Sequence, residues 1–228
     1  MIRVLLTAFE PFGRDRLNSS LEAGRLVAAG PPAGVALEFA ELPWAFGDSI
    51  AELRRAVTRF GPDLVIATGQ GGNRPDLTVE RVAVNLDDAV RTPDRKGHQP
   101  IDQPVVPDGP AAYFSSLPVK ACVEAVQQAG IPATLSHTAG THLCNHVFYG
   151  LAHLIATERP ELRGGFVRLP YLPSQTSGQE KSASMAAETA AEGVRILIRS
   201  AVAALHPPTS ATVAAPRRRS WLSRRGGN

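Results

Sequence analysis

The chain has 228 residues, of which 43% are hydrophobic and 20% charged, and its formal net charge is +3. This length allows one well-packed domain, and the composition is typical of a globular protein. No apolar stretch approaches the roughly 20 residues needed to cross a bilayer, so we expect a soluble protein without a membrane partner.

The positive charge is concentrated near the C-terminus. Five arginines lie between residues 217 and 225, and without them the net charge falls from +3 to −2. We therefore predict no nucleic-acid partner for the folded part, which we place at residues 1–205. Residues 206–228, rich in Pro, Ala, Ser, Thr and Arg, are predicted to form a disordered basic tail, with weak polyanion binding as the alternative.

Short β-rich segments alternate with helical patterns along the chain, which predicts a sheet flanked by helices. The predicted strands are residues 2–8, 35–41, 64–68, 78–85, 133–136 and 165–169. The predicted helices are residues 48–60, 118–130, 143–158 and about 178–205. Residues 87–110 contain five prolines. This segment is too long for a simple connection, so we predict a functional loop or an oligomer contact.

Two cysteines, Cys122 and Cys144, are too few for a disulfide framework or a cysteine-based metal site. We expect free thiols in a reducing cytoplasm. Cys122 lies in the middle of a predicted helix and is interpreted as an inert core residue. Cys144 lies in the first turn of the helix that begins near residue 143, where free backbone N–H groups favour a thiolate and an oxyanion. The alternative is a buried structural cysteine.

Glu80 is the second unusual residue, because strand alternation puts it on the same face as Val82 and Val84. A buried carboxylate is costly unless a partner is present. The pattern leaves two hypotheses open. Glu80 either orients a catalytic base or forms a structural ion pair with Arg81 or Arg91.

Several ordered motifs resemble those of the type I pyroglutamyl peptidases, also called pyrrolidone-carboxylate peptidases. The resemblance extends from Ile2 to about Ser200. The motifs are TAFEPFG at 7–13, GQGG at 69–72, TVERVAVN at 78–85, GPAAYF at 109–114, AGTHLCNH at 139–146 and GFVRLP at 165–170.

The resemblance implies a cysteine peptidase that removes N-terminal pyroglutamyl residues from peptides. It implies that Cys144 is the nucleophile and Glu80 the orienting acid of a Glu-Cys-His triad. It also implies a single α/β domain with a twisted central mixed sheet and helices on both faces. No cofactor, a cytoplasmic location and a homo-oligomer, either tetramer or dimer, are further expectations.

The substrate class suggests which residues bind it. A pyroglutamyl residue is a neutral lactam, so its site should be apolar with a few hydrogen-bonding groups. Phe9 and Phe12 are predicted to stack on the ring, and Gln70 and Asn18 to meet its polar atoms. The alternative assigns both phenylalanines to the core and Gln70 to a turn.

One departure from the family affects the chemistry directly. The position of the family's catalytic histidine is occupied by Arg168. A guanidinium group stays protonated, so it cannot accept the thiol proton or protonate a leaving amine, although its charge can stabilise a thiolate. The sequence therefore predicts a weakened peptidase, a descendant that binds without cleaving, or, as a third hypothesis, a nucleic-acid binder that uses its tail.

Smaller departures lie nearby. His142 replaces an aromatic residue two positions before Cys144, and it is the candidate for a substitute base and a substrate contact. His146 is expected to point elsewhere, because residues two apart on a helix face different directions. Arg91 follows an apparent insertion at Val90 and is a candidate for the family's arginine near the oxyanion.

Overall fold

The computed structural model describes residues 1–13, 16–72, 74–177 and 183–205. Within them the chain alternates strands and helices. The strands are β1 Ile2–Phe9, β2 Val35–Leu42, β3 Leu64–Gln70, β4 Leu77–Glu80, β5 Val82–Val84, β6 Ala112–Phe114, β7 Ala133–Ser136 and β8 Arg163–Leu169. The helices are α1 Ser19–Ala29, α2 Asp48–Phe60, α3 Val119–Gln128, α4 Leu143–Thr157, α5 Pro173–Thr176 and α6 Ala187–Leu205.

Six strands form one sheet in the order β2, β1, β3, β8, β4, β7. Neighbouring strands are parallel except β4 and β8, which are antiparallel, so the sheet is mixed. The strands β5 and β6 form a separate two-stranded antiparallel sheet. This arrangement brings the carboxyl ends of β1, β3 and β8 to one edge, where a site is expected in an α/β sheet.

Hydrophobic cores cover both faces of the large sheet. In β1, Val4 and Leu6 belong to one core, and Leu5 belongs to the other. Helices α1, α3 and α6 supply the first core, and α2 and α4 supply the second. The predicted α/β fold with helices on both faces is therefore confirmed.

Several boundaries differ from the sequence predictions. The predicted strand 78–85 is interrupted at Arg81. The strand β4 ends just before this residue, and β5, which begins just after it, pairs with β6 in the second sheet. Elements α1, α5 and β6 were not predicted. The last helix begins at Ala187, later than residue 178, and residues 178–182 lie outside the described part. The predicted tail at 206–228 also lies outside it. Across the described ranges, no helix has the length and apolar character that a bilayer crossing requires.

Candidate active site

Cys144 lies in the first turn of α4, with His142 at the N-cap. Only 9% of the residue is exposed. Its sulfur contacts the end of β3, because a β-carbon added to Gly69 would lie 2.9 Å from Sγ. A glycine at 69 therefore leaves room for the thiol at the carboxyl edge of the sheet.

The thiol faces a cavity of about 250 Å³ at this edge. The residues of the wall come from six regions of the chain that are distant in sequence. The lining residues are Phe12, Trp44, Gln70, Gly71, Gly72, Thr92, Ala139, Gly140, Thr141, His142, Cys144 and Arg168.

Arg168 and Glu80 form a buried ion pair beside the cavity. Arg168 pairs in the sheet with Gly69 on one side and Thr78 on the other. Its Nε donates to Glu80 Oε1 at 2.6 Å, and its Nη2 donates to the Thr138 carbonyl at 2.9 Å. Glu80 was predicted to orient a base or to pair with Arg81 or Arg91. It contacts instead the residue at the family's histidine position.

Glu80 is fully buried, and its Oε2 has no hydrogen-bond partner within the described part of the chain. Burial raises the pKa of this carboxyl, while the charge of Arg168 acts in the opposite direction. The ion pair with Arg168 thus compensates part of the cost of burying the carboxylate.

The surroundings of Cys144 favour the protonated thiol over the thiolate. Burial raises its pKa to about 12, Arg168 acts to lower it, and Glu80 acts to raise it. The helix N-terminus predicted a thiolate, but loss of water around the sulfur has the larger effect. Among the described residues, no imidazole is hydrogen-bonded to Cys144, so the structure provides no direct acceptor for the thiol proton.

These features predict the alkylation behaviour of the two cysteines. Cys144 should react with iodoacetamide before Cys122, because Cys144 reaches the cavity and Cys122 is fully buried. Its rate should rise roughly tenfold per pH unit from pH 7 to 10, since the thiolate fraction rises in this proportion below the pKa. Mass spectrometry of quenched samples measures both sites, with Cys144→Ala as the control. A rate that levels off near pH 7 would contradict the high pKa.

A stack of aromatic rings forms one wall of the cavity. Phe12 stacks on Trp44 with ring centroids 3.9 Å apart, and Trp44 stacks on His142 at 5.3 Å. Phe9, predicted to stack on the substrate, is fully buried and does not line the cavity. Its ring meets Trp44 edge-on at 5.1 Å, so it supports the wall from within the core.

The two predicted amide contacts occupy different environments. Gln70 lines the cavity, and its Oε1 accepts hydrogen bonds from Ser19 N at 2.9 Å and Gln175 Nε2 at 3.0 Å. Asn18 is fully buried and caps α1 by accepting from Ser20 N, while its Nδ2 donates to the Glu10 carbonyl. The structure thus gives Asn18 a place outside the cavity lining.

The nearby histidines have distinct hydrogen bonds. His142 donates from Nε2 to the Thr92 carbonyl at 2.8 Å, which leaves Nδ1 as the acceptor of a neutral ring. His146 is engaged at both nitrogens, since Nδ1 donates to Asp87 Oδ2 and Nε2 accepts from Gly47 N. The expectation that His146 points elsewhere is therefore confirmed.

Arg91, the candidate oxyanion arginine, is exposed. It lines a neighbouring cavity of about 240 Å³ together with Val90, Thr92 and His142. That cavity adjoins the one at Cys144, with which it shares Thr92, Thr141 and His142, but Cys144 itself does not line it.

Sequence reasoning missed Trp44 and Thr92, which line the same cavity as Cys144. Trp44 follows β2, the neighbour of β1, and the carboxyl ends of parallel strands meet at one edge. That signal was available for Trp44. Thr92 belongs to the irregular 87–110 segment, and no periodic pattern indicates where such a segment folds.

A thiol at a helix N-terminus, facing a cavity beside a buried carboxylate, is an arrangement expected of a cysteine hydrolase. A family model described as pyroglutamyl peptidase matches residues 2–204. The chain belongs to this family, and the resemblance predicted from its motifs is confirmed.

Relatives and solved structures agree with this assignment. The chain is 58% identical over 201 residues to a pyrrolidone-carboxylate peptidase of Streptomyces coelicolor, covering 88% of this chain and 92% of the relative. A Yersinia pestis protein of the same name is 46% identical over 206 residues, covering 90% and 95%. The crystal structure of Bacillus amyloliquefaciens pyroglutamyl peptidase I has a TM-score of 0.86 at 40% identity, covering 89% of this chain and 98% of that one. The Thermococcus litoralis pyrrolidone carboxyl peptidase has a TM-score of 0.86 at 34% identity, covering 90% and 95%.

Proposed function

We propose that this protein hydrolyses the amide bond after an N-terminal pyroglutamyl residue, with Cys144 as the nucleophile. The observation that carries the proposal is the position of the Cys144 thiol, which faces a cavity at the carboxyl edge of the sheet. Family membership supports the same reaction. The sulfur attacks the carbonyl, the amine leaves, and water then releases pyroglutamate from the thioester.

The cavity suits a neutral lactam. Among the described residues that line it, none is acidic, so nothing there attracts the ammonium group of an ordinary peptide N-terminus. The ring of Phe12 provides an apolar surface for the lactam ring. The side chain of Gln70 is held by its Oε1 hydrogen bonds and provides an amide for the lactam polar atoms.

The site lacks a group at position 168 that can transfer the protons of the reaction. The thiol must lose its proton before attack, and the departing nitrogen must gain one. Arg168 contributes charge but no basic nitrogen, and Glu80 positions that guanidinium through the 2.6 Å hydrogen bond. We therefore expect slow amide hydrolysis. The competing hypothesis is that the Nδ1 of His142 acts as the base. Arg91, which lines the adjoining cavity, is proposed as the oxyanion arginine.

The alternative is a descendant that binds pyroglutamyl ends without cleaving them. The protonated thiol and the lack of a described imidazole bonded to Cys144 favour it. Turnover separates the two functions, since binding alone releases no amine.

We also propose a cytoplasmic place of action and a homo-oligomer, either a tetramer or a dimer. Two free cysteines are compatible with a reducing compartment. Val90 and Ile101, in the 87–110 segment, are 58% and 60% exposed, which suits an apolar contact between subunits. Nucleic acid and membranes are not proposed as partners.

A pyroglutamyl arylamide assay tests the reaction. We expect measurable release of the arylamine by the unmodified chain and loss of that release in Cys144→Ala, because the reaction then has no nucleophile. Cys122→Ala is the matched control and should leave the rate unchanged, since Cys122 lies in α3 and is buried against α6. Equal rates in the unmodified chain and Cys144→Ala would contradict the proposed nucleophile.

A further inference from the structure

The cavity beside Cys144 has an uneven distribution of charge. Among its described lining residues, Arg168 is the one that carries a permanent charge, and none carries a negative charge. Glu80 lies outside the lining and is fully buried, whereas the Arg168 side chain keeps 15% of its surface exposed. The positive end of the ion pair therefore faces the cavity.

Arg168 also has an unused donor. Its Nε is bonded to Glu80 and its Nη2 to the Thr138 carbonyl. No partner of Nη1 is found within the described ranges, so this nitrogen is available to a molecule in the cavity. A guanidinium N–H that meets a carboxylate makes a charge-assisted hydrogen bond, which is stronger than a bond to a neutral carbonyl.

The start of α4 adds to this preference. His142, the N-cap residue, makes no side-chain capping hydrogen bond, and the first turn contains no acidic residue. The positive end of the helix dipole is therefore not offset by a neighbouring carboxylate. It lies at Cys144, where the carbonyl carbon of a bound pyroglutamyl group must sit for attack.

We propose that Arg168 makes this cavity a binding site for the carboxylate of free pyroglutamate. The inference rests on the proposed function for the position of the lactam ring. With the lactam near Phe12 and Gln70, the carboxyl carbon lies at the sulfur, and its oxygens lie beside Nη1 and the first turn of α4. A neutral amide at the same place uses these groups less well, because it lacks the negative charge.

This preference has a functional consequence. Free pyroglutamate is the molecule that hydrolysis of the thioester releases, so the site retains its own product. The same property makes the protein a receptor for pyroglutamate that arises from other sources. Neutral Cys144 contributes to the preference, since a thiolate would repel the carboxylate, whereas a thiol does not.

Calorimetric titration at pH 7 with two ligands tests the proposal. L-Pyroglutamate carries the carboxylate, and L-pyroglutaminol carries a neutral hydroxymethyl group on the same lactam and cannot be hydrolysed. We expect the unmodified chain to bind pyroglutamate about 10- to 100-fold more tightly than pyroglutaminol, the range given by a charge-assisted hydrogen bond. The preference should fall sharply in Arg168→Gln, where only the contribution from the start of α4 remains, and should fall less in Arg168→Lys, which keeps the charge.

The two ligands separate this proposal from the proposed function. Binding of pyroglutaminol to each variant reports that the lactam site is folded. Equal affinity for both ligands in the unmodified chain, or an undiminished preference in Arg168→Gln, would overturn the role of Arg168 and leave lactam recognition intact. Failure of both ligands to bind would overturn the proposal as well, and the arylamide assay would then decide separately whether the peptidase function stands.

Discussion

Replacing Arg168 by histidine should increase the rate of pyroglutamyl amide hydrolysis by about 10² to 10⁴, which is the usual contribution of general acid–base catalysis. The backbone of residue 168 pairs with Gly69, and Gly69 contacts the sulfur of Cys144. A side chain at 168 also reaches Glu80, as the 2.6 Å ion pair demonstrates. An imidazole at this position would therefore lie between the carboxylate and the thiol, where it can accept the thiol proton and return it to the departing nitrogen.

Steady-state kinetics on a pyroglutamyl arylamide and on an activated pyroglutamyl ester measures this effect. The ester leaving group departs without protonation, so the unmodified chain should be less impaired toward the ester than toward the amide. The ratio of the two rates thus distinguishes loss of the general acid from loss of substrate binding. Arg168→Lys is the matched control, because lysine keeps the positive charge. The rate of amide hydrolysis should not increase in this variant, since it has no imidazole at position 168.

His142 provides the competing explanation for any activity of the unmodified chain. Its Nε2 proton is donated to the Thr92 carbonyl, so Nδ1 is the nitrogen available as a base. If His142 acts in this way, the unmodified chain is fast and His142→Phe is inactive. Equal amide turnover in the unmodified chain, Arg168→His and His142→Phe would contradict both assignments.

Sequence patterns predicted the central strands well, because these strands are buried on both faces and are bounded by turn residues. They did not predict α1, although Asn18 caps it and Leu21 and Val27 lie on its buried side. Gly24 lies within α1 at its contact with the ring of Phe39. A glycine inside a helix weakens the helical pattern, while its purpose here is to allow that packing.

The site was predictable in part for a different reason. The motifs identified Cys144, Glu80 and Arg168 as site residues. A motif does not predict which charged side chains form an ion pair, or how far a cysteine sulfur is buried from water. The ion pair of Glu80 with Arg168 joins residues 88 positions apart, and it depends on the antiparallel pairing of β4 with β8. The raised pKa of Cys144 depends on burial by several segments at once, which outweighs the local effect of the helix N-terminus.

The buried ion pair should have a large effect on stability when one partner is removed. Glu80→Gln leaves the guanidinium of Arg168 without its counter-charge, and breaking a buried pair in this way costs roughly 3 to 5 kcal/mol. We expect the lower end, about 3 kcal/mol, because Arg168 keeps 15% of its side chain exposed. For a domain of this size such a loss lowers Tm by about 6 to 12 °C. The double variant Glu80→Gln with Arg168→Met should recover most of this loss, since no unpaired charge remains.

The pH dependence of Arg168→Met gives a second measurement of the same pair. Burial raises the pKa of Glu80 above its ordinary value of 4.5, so the folded state holds the proton more tightly than the unfolded state. The contribution of the raised Glu80 pKa to stability is therefore complete below about pH 4.5, the ordinary pKa of the group. It is lost as the pH rises through the pKa that Glu80 has in the folded state. Without Arg168 the pKa of Glu80 should rise further, and the difference in Tm between the unmodified chain and Arg168→Met should widen as the pH increases from 4 to 8. A constant difference across this range, together with additive effects of Glu80→Gln and Arg168→Met, would contradict the coupling between the two residues.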